Sequence, residues 1–214
     1  MNSIILQDAL PNVFAHRTDI QSDIWKTHAV FERDHLYLVE ANSGTGKSSM
    51  CSYIIGYRHD YSGQILFDDE DTKHYGTSKW VKLRQHSLSH IFQELRLFPE
   101  LTAYENVEIK NNLTKFKDKK QILEWFDALG IGDKINQKIG KMSFGQRQRV
   151  AMIRALVQPF DFLLADEPIS HLDETNSRIM AEIMMTEAKA QGAGVIVTSI
   201  GKHMELPYEK VFRL

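Results

Sequence analysis

Cysteine is all but missing from this chain of 214 residues, where Cys51 stands alone. One thiol cannot build an internal disulfide framework, and such sparing use is in keeping with a reducing compartment. Long apolar runs are missing too. No stretch approaches the roughly 18 consecutive apolar residues that a membrane-spanning helix needs. The opening MNSIILQDAL has no basic segment and its apolar run stops at Asp8, so it does not read as a secretion signal. Neither sign of charge is in excess. Lys and Arg number 26 against 28 Asp and Glu, a formal net charge of -2, which gives no electrostatic case for a nucleic-acid partner. Prolines number only five, and neither internal repeats nor low-complexity tracts occur. What is left is a soluble, cytosolic domain with no direct bilayer insertion. At 43% hydrophobic and 25% charged it can bury a sizeable core.

Short apolar runs recur at Ile4–Leu6, Leu36–Val39, Ile65–Phe67, Phe162–Ala165 and Val195–Val197. The later ones are apolar throughout, as strands covered on both faces of a parallel sheet are. Helical patterns lie between them. Ile122, Leu123, Phe126 and Leu129 form one stripe that Gly130 can end. Val150, Ile153, Leu156 and Val157 form a second, and Asp173 can cap a third that carries Ile179, Ile183 and Met184. Strands alternating with helices predict an α/β fold with a mainly parallel sheet. About 50 residues between Gln93 and Ser143 read as mostly helical and polar-rich, which fits an inserted subdomain over about 94–142.

The strand pattern at Leu36–Val39 leads into Glu40-Ala41-Asn42-Ser43-Gly44-Thr45-Gly46-Lys47-Ser48-Ser49. This is the Walker A phosphate loop, G-x-x-x-x-G-K-S/T, with Ala41 at the first glycine. Gly44 and Gly46 let successive N–H groups converge on an anion, and the helix that follows adds its positive end. Lys47 can reach the β- and γ-phosphates, and the Ser48 hydroxyl can ligate magnesium. Ala41 costs little where its φ is negative. A second polar cluster ends the run Phe162–Ala165, where Asp166 and Glu167 sit at the carboxyl end of a strand. That is where parallel sheets bind ligands. Asp166 suits the magnesium shell, and Glu167 suits general-base polarisation of a water.

With Met142-Ser143-Phe144-Gly145-Gln146-Arg147-Gln148-Arg149 in view, essentially the whole chain resembles an ATP-binding-cassette (ABC) ATPase. This octet resembles the family signature L-S-G-G-Q and the R-Q-R helix start behind it. The resemblance implies a P-loop core with a mainly parallel sheet, an antiparallel β subdomain and an inserted helical subdomain, all in one ABC domain over 1–214. It also implies a sandwich of two copies. Ser143, Gly145 and Gln146 of one copy would face ATP held by Asn42, Ser43, Gly44, Thr45, Gly46, Lys47, Ser48 and Ser49 of the other. Phe144 stands at a signature glycine, so its ring has to point away from the nucleotide. Gln93 matches the glutamine that coordinates magnesium beside Ser48 and Asp166. Ser170 and Asp173, in Ser170-His171-Leu172-Asp173, resemble the D-loop along the dimer seam.

Phe14, about 27 residues before Ala41, falls where the family stacks an aromatic on adenine, a contact worth about 1–3 kcal/mol by analogy with base–aromatic stacking. Trp25 is a second aromatic upstream, and core packing accounts equally well for either. One departure stands out. The family ends its last core strand with a histidine after a V-T pair, and here Val197-Thr198 is followed by Ser199. Serine can donate one hydrogen bond but carries no charge at neutral pH, which predicts slow hydrolysis. His203 is four residues on, and its plain reading is a surface histidine.

The stretch from Gln93 to Val107 resembles the subgroup serving lipoprotein release, macrolide export and cell-division complexes, where it receives the permease's coupling helix. The resemblance therefore implies an ATP-hydrolysing subunit that powers a separate integral membrane permease from the inner face of the cell membrane. An ATP-driven conformational switch that moves no substrate is the alternative, and a small-molecule P-loop kinase is a third class that the signature argues against. Elsewhere the polar residues read as structural. His86 and His90 have helical metal-pair spacing, but as part of a strand they lie roughly 13 Å apart. The nine histidines form no ligand cluster along the sequence. Cys51 reads as a small buried hydrophobe, and Lys115–Lys120 as a solvated loop.

Overall fold

The computed structural model describes residues 1–201 and 203–214. A parallel sheet of five strands runs through the molecule in the order β6-β7-β8-β3-β9. Its strands are β3 (Leu36–Glu40), β6 (Leu88–Ile91), β7 (Phe162–Asp166), β8 (Gly194–Ser199) and β9 (Lys210–Arg213). Every residue of β7 and β8 is buried, the property that their unbroken apolar sequence predicts. Side chains alternate between two cores. Leu163 and Ala165 enter one, while Phe162 and Leu164 enter the other, as the period of two requires.

The first core lies under α3 (Ala103–Asn111), α4 (Lys119–Ala128), α5 (Phe144–Leu156) and α6 (Glu174–Ala190). The second lies under α1 (Lys47–Ile54) and an antiparallel sheet of order β2-β1-β4-β5. That sheet comprises β1 (Ser3–Pro11), β2 (His28–Glu32), β4 (Tyr61–Phe67) and β5 (Glu70–Asp71), with α2 (Thr77–His86) between it and β6. Phe31 packs its ring 5.0 Å from Phe212 and 5.1 Å from Tyr37. These aromatics join the two sheets.

Local chemistry sets the helix ends. Thr102 with Glu105, and Ser143 with Gln146, form complete capping boxes at α3 and α5, each satisfying two backbone donors that would otherwise lack partners. Asp118 and Asp173 cap α4 and α6. Gly130, at φ 63°, ends α4: its N–H reaches Asp127 O while Ile131 N reaches Phe126 O, the paired bonds of a Schellman turn. Between Gln93 and Ser143, helix is confined to α3, α4 and two short 3-10 turns; the remainder is turn and loop. The buried Asn106 organises the loop before α3, bonding to both the N–H and the carbonyl of Phe98.

Candidate functional site

All five parallel strands end at one edge, and the polar residues singled out by sequence gather there. The phosphate loop leaves β3 at Ala41, whose N–H donates to Ser199 O at 3.1 Å on the neighbouring β8. Ala41 is not among the residues with positive φ, so the methyl group in place of a glycine hydrogen is accommodated. Gly44 and Gly46 take φ 81° and 104°, values that side chains with a Cβ resist. Gly46 also has no room: a Cβ would meet Phe14 at 3.1 Å and Trp25 at 3.2 Å. Trp25 donates its indole N–H to Thr45 O at 3.0 Å, and the Thr45 hydroxyl donates to Asn42 O at 2.9 Å. These bonds fix the shape of the loop from within the chain. Asn42 and Ser43 are exposed beside it, and Ser49 accepts from Arg58 at 3.0 Å.

Three oxygen-bearing side chains meet at the start of α1. The Ser48 hydroxyl bonds Asp166 Oδ2 at 2.8 Å and Gln93 Oε1 at 3.2 Å. The other Asp166 oxygen accepts from the buried Thr198 hydroxyl. A set of hydroxyl, amide and carboxylate oxygens fits a hard cation such as magnesium. Beside it, Lys47 Nζ lies 3.5 Å from Glu167 Oε1, with both side chains largely shielded from solvent. Glu167 holds φ 50°, an uncommon backbone state for a residue with a Cβ. Its N–H is tied to Thr198 O at 3.2 Å. Thr198 was not singled out from sequence as a site residue, though its place in the Val197-Thr198 pair marks the strand end.

The signature segment lies elsewhere. Ser143 is exposed, its hydroxyl accepting from Gln146 N at 3.3 Å and its N–H donating to Gln146 Oε1 at 2.9 Å. Among the described residues no hydrogen bond joins Ser143, Gly145 or Gln146 to the phosphate loop of the same chain. The segment instead packs on residues 168–172. A Cβ on Gly145 would approach His171 O at 3.1 Å and Leu172 Cδ2 at 3.2 Å. Phe144 turns its ring onto His171, 4.2 Å between centroids. The buried Gln148 amide donates to Pro168 O at 3.3 Å and Ser170 Oγ at 3.2 Å. Sequence reasoning passed over Gln148, although a glutamine on the apolar stripe of α5 is the signal of a buried tie. Asp173 Oδ1 accepts from Asn176 N at 2.9 Å. That bond, with a second from the Asn176 side chain, holds the Asp173 carboxyl below its ordinary range.

Both aromatics before the loop border a cleft of about 220 Å³ with Arg17, Asp19, Asn42 and Thr45. Trp25 is 2% exposed and held by Thr45, and Phe14 is half-buried. Ser199 is buried at the end of β8. His203 faces Glu40, at 4.0 Å, and meets Tyr208 edge-on; no bond to Lys47 or Glu167 is made among the described residues.

A second concavity, of about 260 Å³, opens between β6 and α3. Tyr57, Phe98, Ile109 and Leu113 present exposed apolar surface to it. Its charged lining residues are Arg84, Arg96, Lys110 and Arg154, with no carboxylate among them. Leu95 and Arg96 both adopt positive φ, and the Arg154 guanidinium fixes this turn by donating to both carbonyls at 2.6 Å. Burial, with Arg154 adding, lowers Lys110 to about 8. His90 also lines this groove. Burial, and then the Arg96 charge, lower its imidazole to about 3. The histidines suggested no ligand cluster in sequence, yet folding brings His90, Cys51 and Asp166 together with donor atoms within 4.8 Å of one another. Cys51 is fully buried.

The ABC transporter family model matches residues 29–170. The chain belongs to the ABC transporter family. Among curated ABC relatives, the lipoprotein-releasing system ATP-binding protein LolD of Buchnera aphidicola subsp. Schizaphis graminum is 31% identical over 187 residues, 86% of this chain and 82% of the relative. An uncharacterized ABC transporter ATP-binding protein of Thermotoga maritima is 30% identical over 172 residues, 79% of this chain and 73% of the relative. The dimeric structure of MJ0796, a bacterial ABC transporter cassette, superposes with a TM-score of 0.78 at 25% identity, covering 92% of this chain and 87% of that one. The P-loop core, antiparallel sheet and helices expected of an ABC ATPase are thus present. No helix among the described residues is long and apolar enough to cross a membrane.

Proposed function

We propose that this ABC protein binds and hydrolyses ATP with Mg²⁺ as the motor subunit of a transporter, pairing with a second copy of itself and with a separate integral membrane permease. The observation that carries this reading is the meeting of Ser48, Gln93 and Asp166 beside the Lys47–Glu167 pair. In it, backbone N–H groups of residues 42–49 cradle the phosphates and Phe14 stacks on adenine. Lys47 leaves Glu167 for the β- and γ-phosphates, an exchange of one anionic partner for a more highly charged one. Ser48, Gln93 and Asp166 would hold a magnesium ion, whose charge would offset that of the phosphates. Glu167, relieved of Lys47, accepts hydrogen bonding from the attacking water and polarises it.

Exposed Ser143, with Gly145 and Gln146, would meet ATP on the second copy, and Ser170 and Asp173 would lie along the seam. The dimeric MJ0796 cassette supports this arrangement. Residues 1–214 act as one ATP-binding domain, with about 94–142 as its helical subdomain. The groove beside β6, lined by exposed apolar side chains and by cations without a carboxylate, suits an amphipathic segment of the permease carrying acidic residues. The likeness to LolD favours lipoprotein release as the kind of work done. Docking to a protein partner in this way places the subunit in the cytoplasm, peripheral on the inner face of the membrane.

Glu167→Gln tests the assignment. The variant should retain ATP, lose hydrolysis by roughly 10²- to 10⁴-fold and elute as an ATP-dependent dimer in size-exclusion chromatography. Normal turnover from a species that stays monomeric with ATP would refute the reading. Ser199 favours a second version, a slow conformational switch that moves no substrate. Ser199→His should then raise kcat; no rise would remove the explanation of slowness. Substrate movement in vesicles holding the reconstituted permease would remove the switch itself.

A further inference from the structure

Behind the magnesium-side oxygens, α1 and β6 bring a different kind of chemistry to Asp166. The Cys51 sulfur, a ring nitrogen of His90 and a carboxylate oxygen of Asp166 lie within 4.8 Å of one another. Both His90 nitrogens are sealed from solvent and have no hydrogen-bond partner among the described residues, while the ring still borders the groove. Buried polar atoms without partners are rare because each costs the full desolvation of the group. Here one of the two nitrogens lies near a thiol and a carboxylate, so the lone pair of a neutral imidazole has other ligand atoms beside it. Ligand atoms of a tetrahedral zinc ion are about 3–4 Å apart, given metal–ligand bonds of about 2.0–2.3 Å. Only a small inward movement separates the present cluster from that spacing.

We propose that Cys51, His90 and Asp166 form a binding site for a thiophilic divalent cation of the zinc class, and that its occupation inhibits the ATPase. Mixed sulfur, nitrogen and oxygen donors favour zinc over magnesium, which selects oxygen. Binding replaces the thiol proton: the S–H bond breaks, a sulfur–metal bond forms and one proton passes to solvent. Asp166 is the ligand in dispute. Drawn to zinc, it no longer completes the oxygen set with Ser48 and Gln93. The site stands without the ATPase reading; only its effect on turnover rests on that reading.

Cys51 is the sole thiol of the chain, which makes the experiment specific. Metal-free full-length protein is titrated with Co²⁺ and the thiolate-to-cobalt charge-transfer band is recorded, then displaced with Zn²⁺. Wild type should show the band at about one equivalent and release a proton as it forms. Cys51→Ala should abolish the band. His90→Phe should weaken cobalt binding by more than the roughly 10- to 100-fold that outer-shell changes cost. Zinc should suppress wild-type hydrolysis, with recovery on chelation and resistance in Cys51→Ala. Circular dichroism and ATP affinity establish that each variant is folded. Absence of the band from wild type, or its full strength in His90→Phe, would overturn the site. A cobalt-loaded wild type with undiminished turnover would overturn the competition for Asp166.

Discussion

The phosphate-loop edge and the signature edge handle charge and hydrogen bonding in opposite ways. At the first, the polar groups beside α1 lean on residues distant in sequence: Ser48 on Asp166 and Gln93, Lys47 on Glu167, and Asp166 on Thr198. Lys47 and Asp166 are buried, so their pairing matters to the fold as well as to a ligand. At the second, Ser143 and Gln146 satisfy each other within one helical turn while staying open to solvent. The difference teaches what one chain can complete by itself. It assembles the proposed phosphate and cation cradle, but it only presents the signature, and the proposed second copy gives that presentation a use.

The largest effect should come from closing the cradle itself. Gly46→Ala sets a methyl group against Phe14 and Trp25 at a left-handed backbone, and removal of well-placed donors of this kind costs about 10²- to 10³-fold in rate. We expect ATP binding, read by a fluorescent analogue, to be lost with hydrolysis; retained affinity would show that the loop can deform. Ser143→Asp sharpens the other side. Aspartate caps a helix as well as serine does, so the melting temperature should hold. Hydrolysis should nevertheless fall, because a carboxylate would face phosphate. Unchanged hydrolysis would reduce Ser143 to a cap.

The smallest effect concerns Asp173. Its bonds from Asn176 lower the carboxyl pKa in the fold from the ordinary 3.8. The stabilisation is therefore fully present above 3.8 and is lost as pH falls through the lowered value. Asp173→Asn keeps a capping side chain but removes the titration. Thermal unfolding should then match wild type near neutral pH and lose less stability on acidification below pH 4. Parallel acid limbs would show that the cap is not charge-dependent.

The phosphate loop, the apolar β7 and the caps at Ser143 and Asp173 were legible because each is local: a strand, a turn and a helix start carry their own chemistry within about ten residues. Gln93 and Ser199 could be located by resemblance but not oriented. That Trp25 ties down the loop was not legible, since nothing in the spacing of two upstream aromatics says which one bonds to Thr45. Thr198, Gln148 and the cluster of Cys51 with His90 were missed for the same reason. Their partners lie between 20 and 115 residues away, and no spacing rule reaches that far.

Sequence alone determined the kind of molecule this is: a strand-loop-helix of the phosphate-loop pattern, an acidic strand end, and a signature whose order along the chain marks an ABC protein. Tertiary structure decided which of these act together. A parallel sheet brings strand ends distant in sequence to one edge, and burial of Lys47, Asp166 and Thr198 there makes their pairings costly to break. That is why Ser48 meets Asp166, why Trp25 supports the loop and lines the cleft with Phe14, and why an unremarkable cysteine and histidine come to lie near one carboxylate.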